Sequence, residues 1–248
     1  MMNASSLYPG ASIAIRSDML SEQARAWTHI ASPGSWYSGA ERLAMAKAVR
    51  EAPFCALCLA RADALSPAAV QGSHDHDGTL PEVVIETIHR IVMDPGRLGK
   101  SWFDGLIAAG LTVEQYVEIV GVTAHTVSLD TFAKAMGLEQ VPLPDAIPGE
   151  PTGYRASCVS PGPGWVPTID AEDASGPEAD IYGGMMGANI QKALTLVPDE
   201  MRSWFNLVGA QYLPGKWMRD FSREFRAITH AQIEFLAARV SALNRCIY

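Results

Sequence analysis

Residues 38–58 read SGAERLAMAKAVREAPFCALC. Ser38 and Glu41 have the spacing of a capping box, in which each side chain accepts a hydrogen bond from a free backbone amide at the start of a helix. The apolar residues that follow fall on one face of such a helix, and Pro53 is predicted to end it. A Cys-x-x-Cys pair comes directly after that proline. The stretch therefore predicts an amphipathic helix that is followed by two cysteines at the start of the next helix.

Proline, glycine and capping residues divide the rest of the chain into further helical segments. Capping boxes are predicted at Thr79–Glu82 and Thr112–Gln115, and Gly137 is predicted to end the long helix that begins at the second box. Long alternating runs of β-branched residues, which would indicate strands, are absent. We therefore expect an all-α fold, with helices over residues 17–30, 39–52, 54–65, 79–93, 101–109, 112–136, 189–197 and 198–212 and a last helix that begins at Thr229.

Residues 138–167 have a different composition, with seven prolines and four glycines. Such a segment cannot hold a helix, and we expect an extended linker or arm that wraps a neighbouring subunit. The predicted domains are a unit over residues 1–137 that carries the Cys-x-x-Cys pair, the linker over residues 138–167, and a second, truncated unit over residues 168–248. The second unit either stands alone or packs with the first as one globule.

An internal repeat supports this division. Residues 38–55 and 229–246 have the same length, and each begins with a capping box and ends on a cysteine. The second cysteine of the first copy would match position 249, so the second copy is expected to be the shorter one. We predict that one helix-then-cysteine unit is used twice, once on either side of the linker.

Composition excludes several classes of protein. The chain has 248 residues, is 48% hydrophobic and 19% charged, and carries a net charge of −8. An acidic chain without a basic face is a poor partner for nucleic acid, and no apolar run is long enough to cross a membrane. The first basic residue is Arg16, so a secretory signal is not expected. We expect a cytoplasmic protein whose four cysteines are mostly reduced.

Cys55 and Cys58 are the residues that most clearly indicate chemistry. Cysteines three apart on a helix share a face, and the positive end of the helix dipole stabilises a thiolate at its start. This arrangement predicts one thiolate that attacks a peroxide or disulfide and a second thiol that resolves it. Two alternatives are a structural pair of small apolar residues and a zinc site that also uses His74 and His76, although a His-x-His spacing is narrower than usual.

Three further residues are candidates for moving protons. His125 lies on the predicted long helix among small neighbours, and it is the first choice for the acid or base that such a thiol needs. Glu41 is a capping residue first and a proton relay second. Helical histidines are more often packed groups than catalysts, but His89 is a second candidate for the same proton donor. Cys158 has no partner pattern.

The helix, the Cys-x-x-Cys pair and the repeat together resemble the alkylhydroperoxidase AhpD-like and carboxymuconolactone decarboxylase superfamily. The similarity is strongest over residues 41–137, and residues 181–248 look like the leading helices of the same fold. The resemblance implies an all-α fold of two fused units and assembly into a homo-oligomer, a dimer or trimer. It also implies that Cys58 attacks the hydroperoxide and that Cys55 resolves the product.

The chain departs from the family pattern at the proton relay. The family places a glutamate twelve residues before the first cysteine, where this chain has Leu43, and a histidine four residues after the second cysteine, where it has Ala62. The second copy does keep the glutamate spacing, from Glu234 to Cys246. The resemblance therefore implies a relay supplied from elsewhere in the fold, and the candidates are His125, His74, Glu41 and Glu234.

These features predict a thiol-dependent peroxidase that reduces a small hydroperoxide and is restored by an external thiol reductant. This function requires no cofactor and no metal, and neither nucleic acid nor a membrane is an expected partner. One alternative is a decarboxylase-like enzyme acting on a small acid, with His125 and either Glu41 or Glu234 flanking a pocket. The other is a helical assembly protein without catalysis.

Overall fold

The computed structural model of the chain describes residues 3–183, 185, 187–244 and 246, and the predicted domain ends at Met1 and Tyr248 lie outside them. Within the described residues the chain forms no strand, apart from a single bridge between Ser160 and Thr168. The prediction of an all-α fold is confirmed. The helices are α1 (Ser17–Ala31), α2 (Gly39–Glu51), α3 (Ala56–Asp63), α4 (Glu82–Met93), α5 (Lys100–Ala108), α6 (Val113–Ala135), α7 (Asn189–Lys192), α8 (Pro198–Gln211) and α9 (His230–Leu243).

Three of the predicted capping boxes form. Ser38 accepts a hydrogen bond from the Glu41 amide, and the Glu41 carboxylate accepts one from the Ser38 amide at 2.8 Å. The same reciprocal pair begins α6 at Thr112 and α9 at Thr229. Because these boxes satisfy amides that have no partner within the helix, they set the first residue of each helix.

The capping box predicted at Thr79–Glu82 is wrong. Helix α4 begins at Glu82 directly after Pro81, without a side-chain cap. The Glu82 carboxylate is used elsewhere, because it accepts hydrogen bonds from the His74 amide at 3.3 Å and pairs with His76 at 2.8 Å. The residue that would have closed the box therefore holds the preceding loop, residues 73–78, against the start of α4.

The core lies among α1, α2, α4 and α6, which pack against one another. Its largest fully buried side chains include Trp27, Ile30, Met45, Ile88 and Ile119. Helix α8 packs on α1 and α6 and adds Leu207 to the same core. The part of the chain after the linker therefore contributes to the core of the part before it. The division into two repeated units stays a prediction.

The proline-rich segment, residues 138–167, contains no helix, as expected from its composition. It runs back along the end of α1 in the same chain, where the Ile147 amide donates to the Ala31 carbonyl at 2.8 Å and the Thr152 amide donates to Gly34 at 3.1 Å. The helix predicted over residues 189–197 is too long. It stops at Lys192, because the Thr195 hydroxyl donates to the Lys192 carbonyl and also accepts a hydrogen bond from the Ile169 amide.

Helix α9 lies at the edge of the molecule. Only His230 and Ile233 are buried in it, while Leu236, Val240 and Leu243 are largely exposed.

Among the described residues, no single helix is long and apolar enough to cross a membrane. The pair α5 and α6 meets the length and composition test together, but the two helices are bent by 116° at their junction.

Candidate thiol site

Cys55 and Cys58 lie together at the start of α3. A short 3-10 turn that contains Pro53 precedes them, and Cys55 is the N-cap residue of the helix. Neither cysteine is in a disulfide, and the two residues are only 1% and 3% exposed. The preceding residue, Phe54, is 81% exposed. The predicted position of the pair at a helix start is confirmed.

Two histidines from different elements complete the group. His74, in the loop before α4, places Nδ1 3.5 Å from Cys55 Sγ and 3.4 Å from Cys58 Sγ. His89, in α4, places Nδ1 3.4 Å from Cys58 Sγ and 3.1 Å from His74 Nδ1. These four ligand atoms lie within 4.8 Å of one another, and all four residues are buried. The group Cys55, Cys58, His74 and His89 is called the Cys-His cluster below.

A carboxylate orients the first histidine. Glu86 lies one turn before His89 on α4 and accepts a hydrogen bond from His74 Nε2 at 2.7 Å. Arg61 and Trp102 donate to the same carboxylate at 2.7 and 2.9 Å. Burial alone would raise the pKa of Glu86, but these three donors outweigh it and lower the pKa to about 2. This hydrogen bond orients the ring, so that Nε2 of His74 points to Glu86 and Nδ1 points to the two sulfurs.

The two thiols have different surroundings. Burial raises the pKa of Cys55, but the amides of Asp75 and Cys58 and the side chain of His74 donate to its sulfur, and together they lower that pKa below its ordinary value. Burial and the neighbouring Cys55 raise the pKa of Cys58 to about 12. The pKa of His74 is raised, because Glu86 and Cys55 outweigh its burial. The arrangement thus favours a thiolate on Cys55 beside a protonated His74.

The three other predicted site residues lie away from the thiols. Glu41 caps α2 and is exposed. His125 is fully buried, with Nδ1 2.7 Å from the Gly121 carbonyl and Nε2 2.9 Å from Ser203 Oγ. Glu234 accepts a hydrogen bond from the Tyr212 hydroxyl at 2.7 Å. No hydrogen bond described for these side chains reaches Cys55 or Cys58.

The sequence offers the second histidine of the group, His89, only as an alternative proton donor and not as a ligand in the zinc alternative. His76, the partner of His74 in the zinc alternative, points to Glu82 and lies outside the cluster. His89 takes its place from α4. One signal was available, because His89 falls on the apolar face of that helix, among Ile85, Ile88 and Val92. On that face a polar side chain needs a partner.

A second buried group, which the sequence did not predict, joins α1, α2, α6 and α8. Arg42 Nη1 lies 2.6 Å from Glu118 and 2.7 Å from Glu200, and all three side chains are at most 1% exposed. Glu200 also pairs with His29 at 2.9 Å. His29 lines a cavity of about 540 Å³, together with Ser203. Gly34 and Gly121 make room for this group, because a Cβ at either position would overlap a carboxylate.

In comparisons with known proteins, no family model matches this chain, and no curated protein or solved structure matches it. The resemblance to the AhpD-like superfamily therefore rests on the sequence motifs alone.

Proposed function

We propose that this protein is a thiol-dependent oxidoreductase that reduces hydroperoxides through Cys55 and Cys58. The observation that carries the proposal is the chain of contacts from Cys55 Sγ to His74 Nδ1 at 3.5 Å and from His74 Nε2 to Glu86 at 2.7 Å. A nucleophile, a base and a group that orients the base are the three parts of an activated thiol. The second thiol lies within 4.8 Å of these ligand atoms, which is close enough to resolve the product.

The proposal assigns the attack to Cys55, whereas the family resemblance implied Cys58. Cys55 is at the N-terminus of α3, where the helix dipole favours an anion. Its sulfur also accepts a hydrogen bond from the Asp75 amide at 3.4 Å. Cys58 lies inside the first turn of α3 and is suited to the later, resolving step.

The reaction then has two steps. The Cys55 thiolate attacks the distal oxygen of the hydroperoxide, the O–O bond breaks, and the leaving alkoxide takes a proton from His74 to become an alcohol. Cys55 is now a sulfenic acid. The Cys58 sulfur attacks the sulfenic sulfur, a disulfide forms, and the oxygen leaves as water together with the Cys58 proton. An external dithiol supplies the two electrons and two protons that restore both thiols.

We also propose that the all-α fold is an AhpD-like fold of two fused units. It is supported by α2 and α9, which both begin with a capping box and are both followed by a cysteine, Cys55 and Cys246.

Consumption of a small organic hydroperoxide in the presence of excess dithiol tests the function. The parent protein is expected to turn over, and Cys55→Ser is expected to abolish consumption. Cys158→Ser and Cys246→Ser are matched controls that remove a thiol elsewhere and should keep the parent rate. Equal rates for the parent and Cys55→Ser would contradict the proposal.

A second candidate function is acid–base catalysis on a small acid, as in the decarboxylase branch of the family. The observation that favours it is His29, which faces the cavity of about 540 Å³ while its Nε2 is held by the buried Glu200. This pair takes the place of the predicted combination of His125 with Glu41 or Glu234. Alkylation of all thiols separates the two functions, because it should stop only the peroxidase.

A further inference from the structure

The Cys-His cluster has the composition of a metal site. It offers two sulfurs and two imidazole nitrogens, which are the ligands that zinc prefers in structural sites. The donors come from three places: the start of α3, the loop over residues 73–78, and α4. All four residues are buried, and the four ligand atoms lie within 4.8 Å of one another.

Four of the six distances between the ligand atoms fit a tetrahedron around one ion. With a zinc–nitrogen bond of about 2.05 Å and a zinc–sulfur bond of about 2.3 Å, a tetrahedral site has edges of about 3.4 Å between nitrogens and about 3.6 Å between nitrogen and sulfur. The nitrogens of His74 and His89 are 3.1 Å apart. The nitrogen–sulfur contacts are 3.4, 3.4 and 3.5 Å. Each of these four edges lies within a few tenths of an ångström of the ideal, and the other two pairs of ligand atoms lie within 4.8 Å.

The groups around the cluster support the same assignment. A carboxylate on the far nitrogen of a metal-bound histidine fixes the ring and its tautomer, and Glu86 holds His74 Nε2 in this way at 2.7 Å. The Asp75 amide donates to Cys55 Sγ at 3.4 Å and so offsets negative charge on the sulfur. Two thiolates and one divalent cation also sum to zero charge, which removes the cost of burying an isolated ion.

We infer that Cys55, Cys58, His74 and His89 bind one Zn²⁺ ion when the two thiols are reduced. Four protein ligands leave no open position for water, so the ion ties α3 to α4 and is structural. The inference goes beyond the proposed peroxidase and does not depend on it. The peroxidase reaction uses the metal-free dithiol, and a disulfide would withdraw two of the four ligands.

The zinc content of the full-length chain tests this inference. The chain is purified with a thiol-free reductant, loaded with Zn²⁺ and passed through a desalting column, after which bound zinc is measured per chain. We expect about one zinc per chain for the parent. His89→Gln is expected to lower the affinity for zinc by roughly 100-fold or more, since it removes a ligand. His76→Gln is the matched control, because it removes the neighbouring histidine that lies outside the cluster.

Substitution with Co²⁺ gives a second, spectroscopic readout. Tetrahedral Co²⁺ with two thiolates has strong visible bands and a sulfur-to-metal charge-transfer band in the near ultraviolet, whereas exposed octahedral Co²⁺ is almost colourless. We expect the strong spectrum from the parent and from His76→Gln, and its loss in His89→Gln. A weak octahedral spectrum from the parent, or equal zinc retention by the parent and His89→Gln, would overturn the inference. Peroxide consumption enters neither readout, so failure of the proposed peroxidase is a separate result.

Discussion

His74 is the residue on which the candidate site depends most. It contacts both sulfurs through one ring nitrogen and Glu86 through the other. A histidine held in this way moves a proton without having to reorient, and such a group contributes typically about 10²–10⁴-fold to a rate.

Replacing His74 therefore has a large expected effect. His74→Gln should slow hydroperoxide consumption by about 100-fold or more, because the leaving alkoxide loses its proton donor. Initial rates with a dithiol reductant measure the effect. His76→Gln serves as the control, since it lies two residues away and pairs with Glu82. If both variants slowed equally, the loop and not the relay would be responsible.

His125 governs a different property, the dependence of stability on pH. It is fully buried, and burial lowers its pKa to about 4. Because the folded pKa lies below the unfolded value of about 6.5, the neutral ring contributes stability that is fully present above pH 6.5 and is lost as pH falls through 4.

The expected loss can be measured by denaturant unfolding at two pH values. Between pH 7.5 and pH 5, His125 should account for a decrease of about 2 kcal/mol in the free energy of unfolding. His125→Gln cannot be protonated, so its stability should decrease less over the same range. Parallel pH profiles for the parent and the variant would show that His125 is not buried in the neutral form.

At the level of helices, α6 has a glycine, Gly121, in its middle, where Glu200 of α8 approaches closely. A Cβ at Gly121 would overlap the Glu200 carboxylate, which is itself held by Arg42 and His29. Gly121→Ala should therefore destabilise the protein by about 1–3 kcal/mol, despite the better helix propensity of alanine.

A second helical glycine gives the matched control. Nothing lies within 4 Å of a Cβ at Gly105, in α5. Gly105→Ala should stabilise the protein by about 0.5–1 kcal/mol through helix propensity alone. Thermal or denaturant unfolding of both variants decides the matter, and destabilisation of similar size at both positions would contradict the close approach of Glu200 to α6.

The helices were predictable because their signals are local. The capping boxes at Ser38, Thr112 and Thr229 and the stop at Gly137 each depend on neighbours within a few residues. The capping box predicted at Thr79 does not form because Glu82 bonds to the loop before α4, and the spacing of Thr79 and Glu82 does not predict this contact.

The candidate site was predictable only in part, because its residues come from separate elements. The sequence singled out Cys55 and Cys58 and offered His74 as one of several relays. His89 reaches Cys58, and Glu86 reaches His74, only because α4 packs beside α3, and the spacing of these residues along the chain does not predict that packing. The same holds for Arg42, Glu118 and Glu200, which lie on three helices.

At the level of the whole molecule, the buried ion group joins the two parts of the chain. Arg42 on α2 pairs with Glu118 on α6 and with Glu200 on α8, which follows the linker. Removing the guanidinium that bridges these two carboxylates leaves both of them in the core without their shared partner.

Arg42→Met should therefore destabilise the protein by about 3–5 kcal/mol, the usual cost of an uncompensated buried charge. Denaturant unfolding of the full chain measures it. Arg25→Met is the control, since Arg25 is largely exposed and, among the residues that the structure describes, forms an ion pair only with Glu22. It should change stability by less than about 0.5 kcal/mol. A loss below 1 kcal/mol in Arg42→Met would show that the group does not hold α8 to the core.

Disulfide mapping is the sharpest test of the proposed peroxidase reaction. The reduced, metal-free protein is treated with one equivalent of an organic hydroperoxide, and its disulfides are then mapped. The peptide that contains Cys55 and Cys58 is expected to become lighter by two hydrogens, whereas Cys158 and Cys246 are expected to stay reduced. Unmodified thiols at both positions, with the hydroperoxide still present, would contradict it.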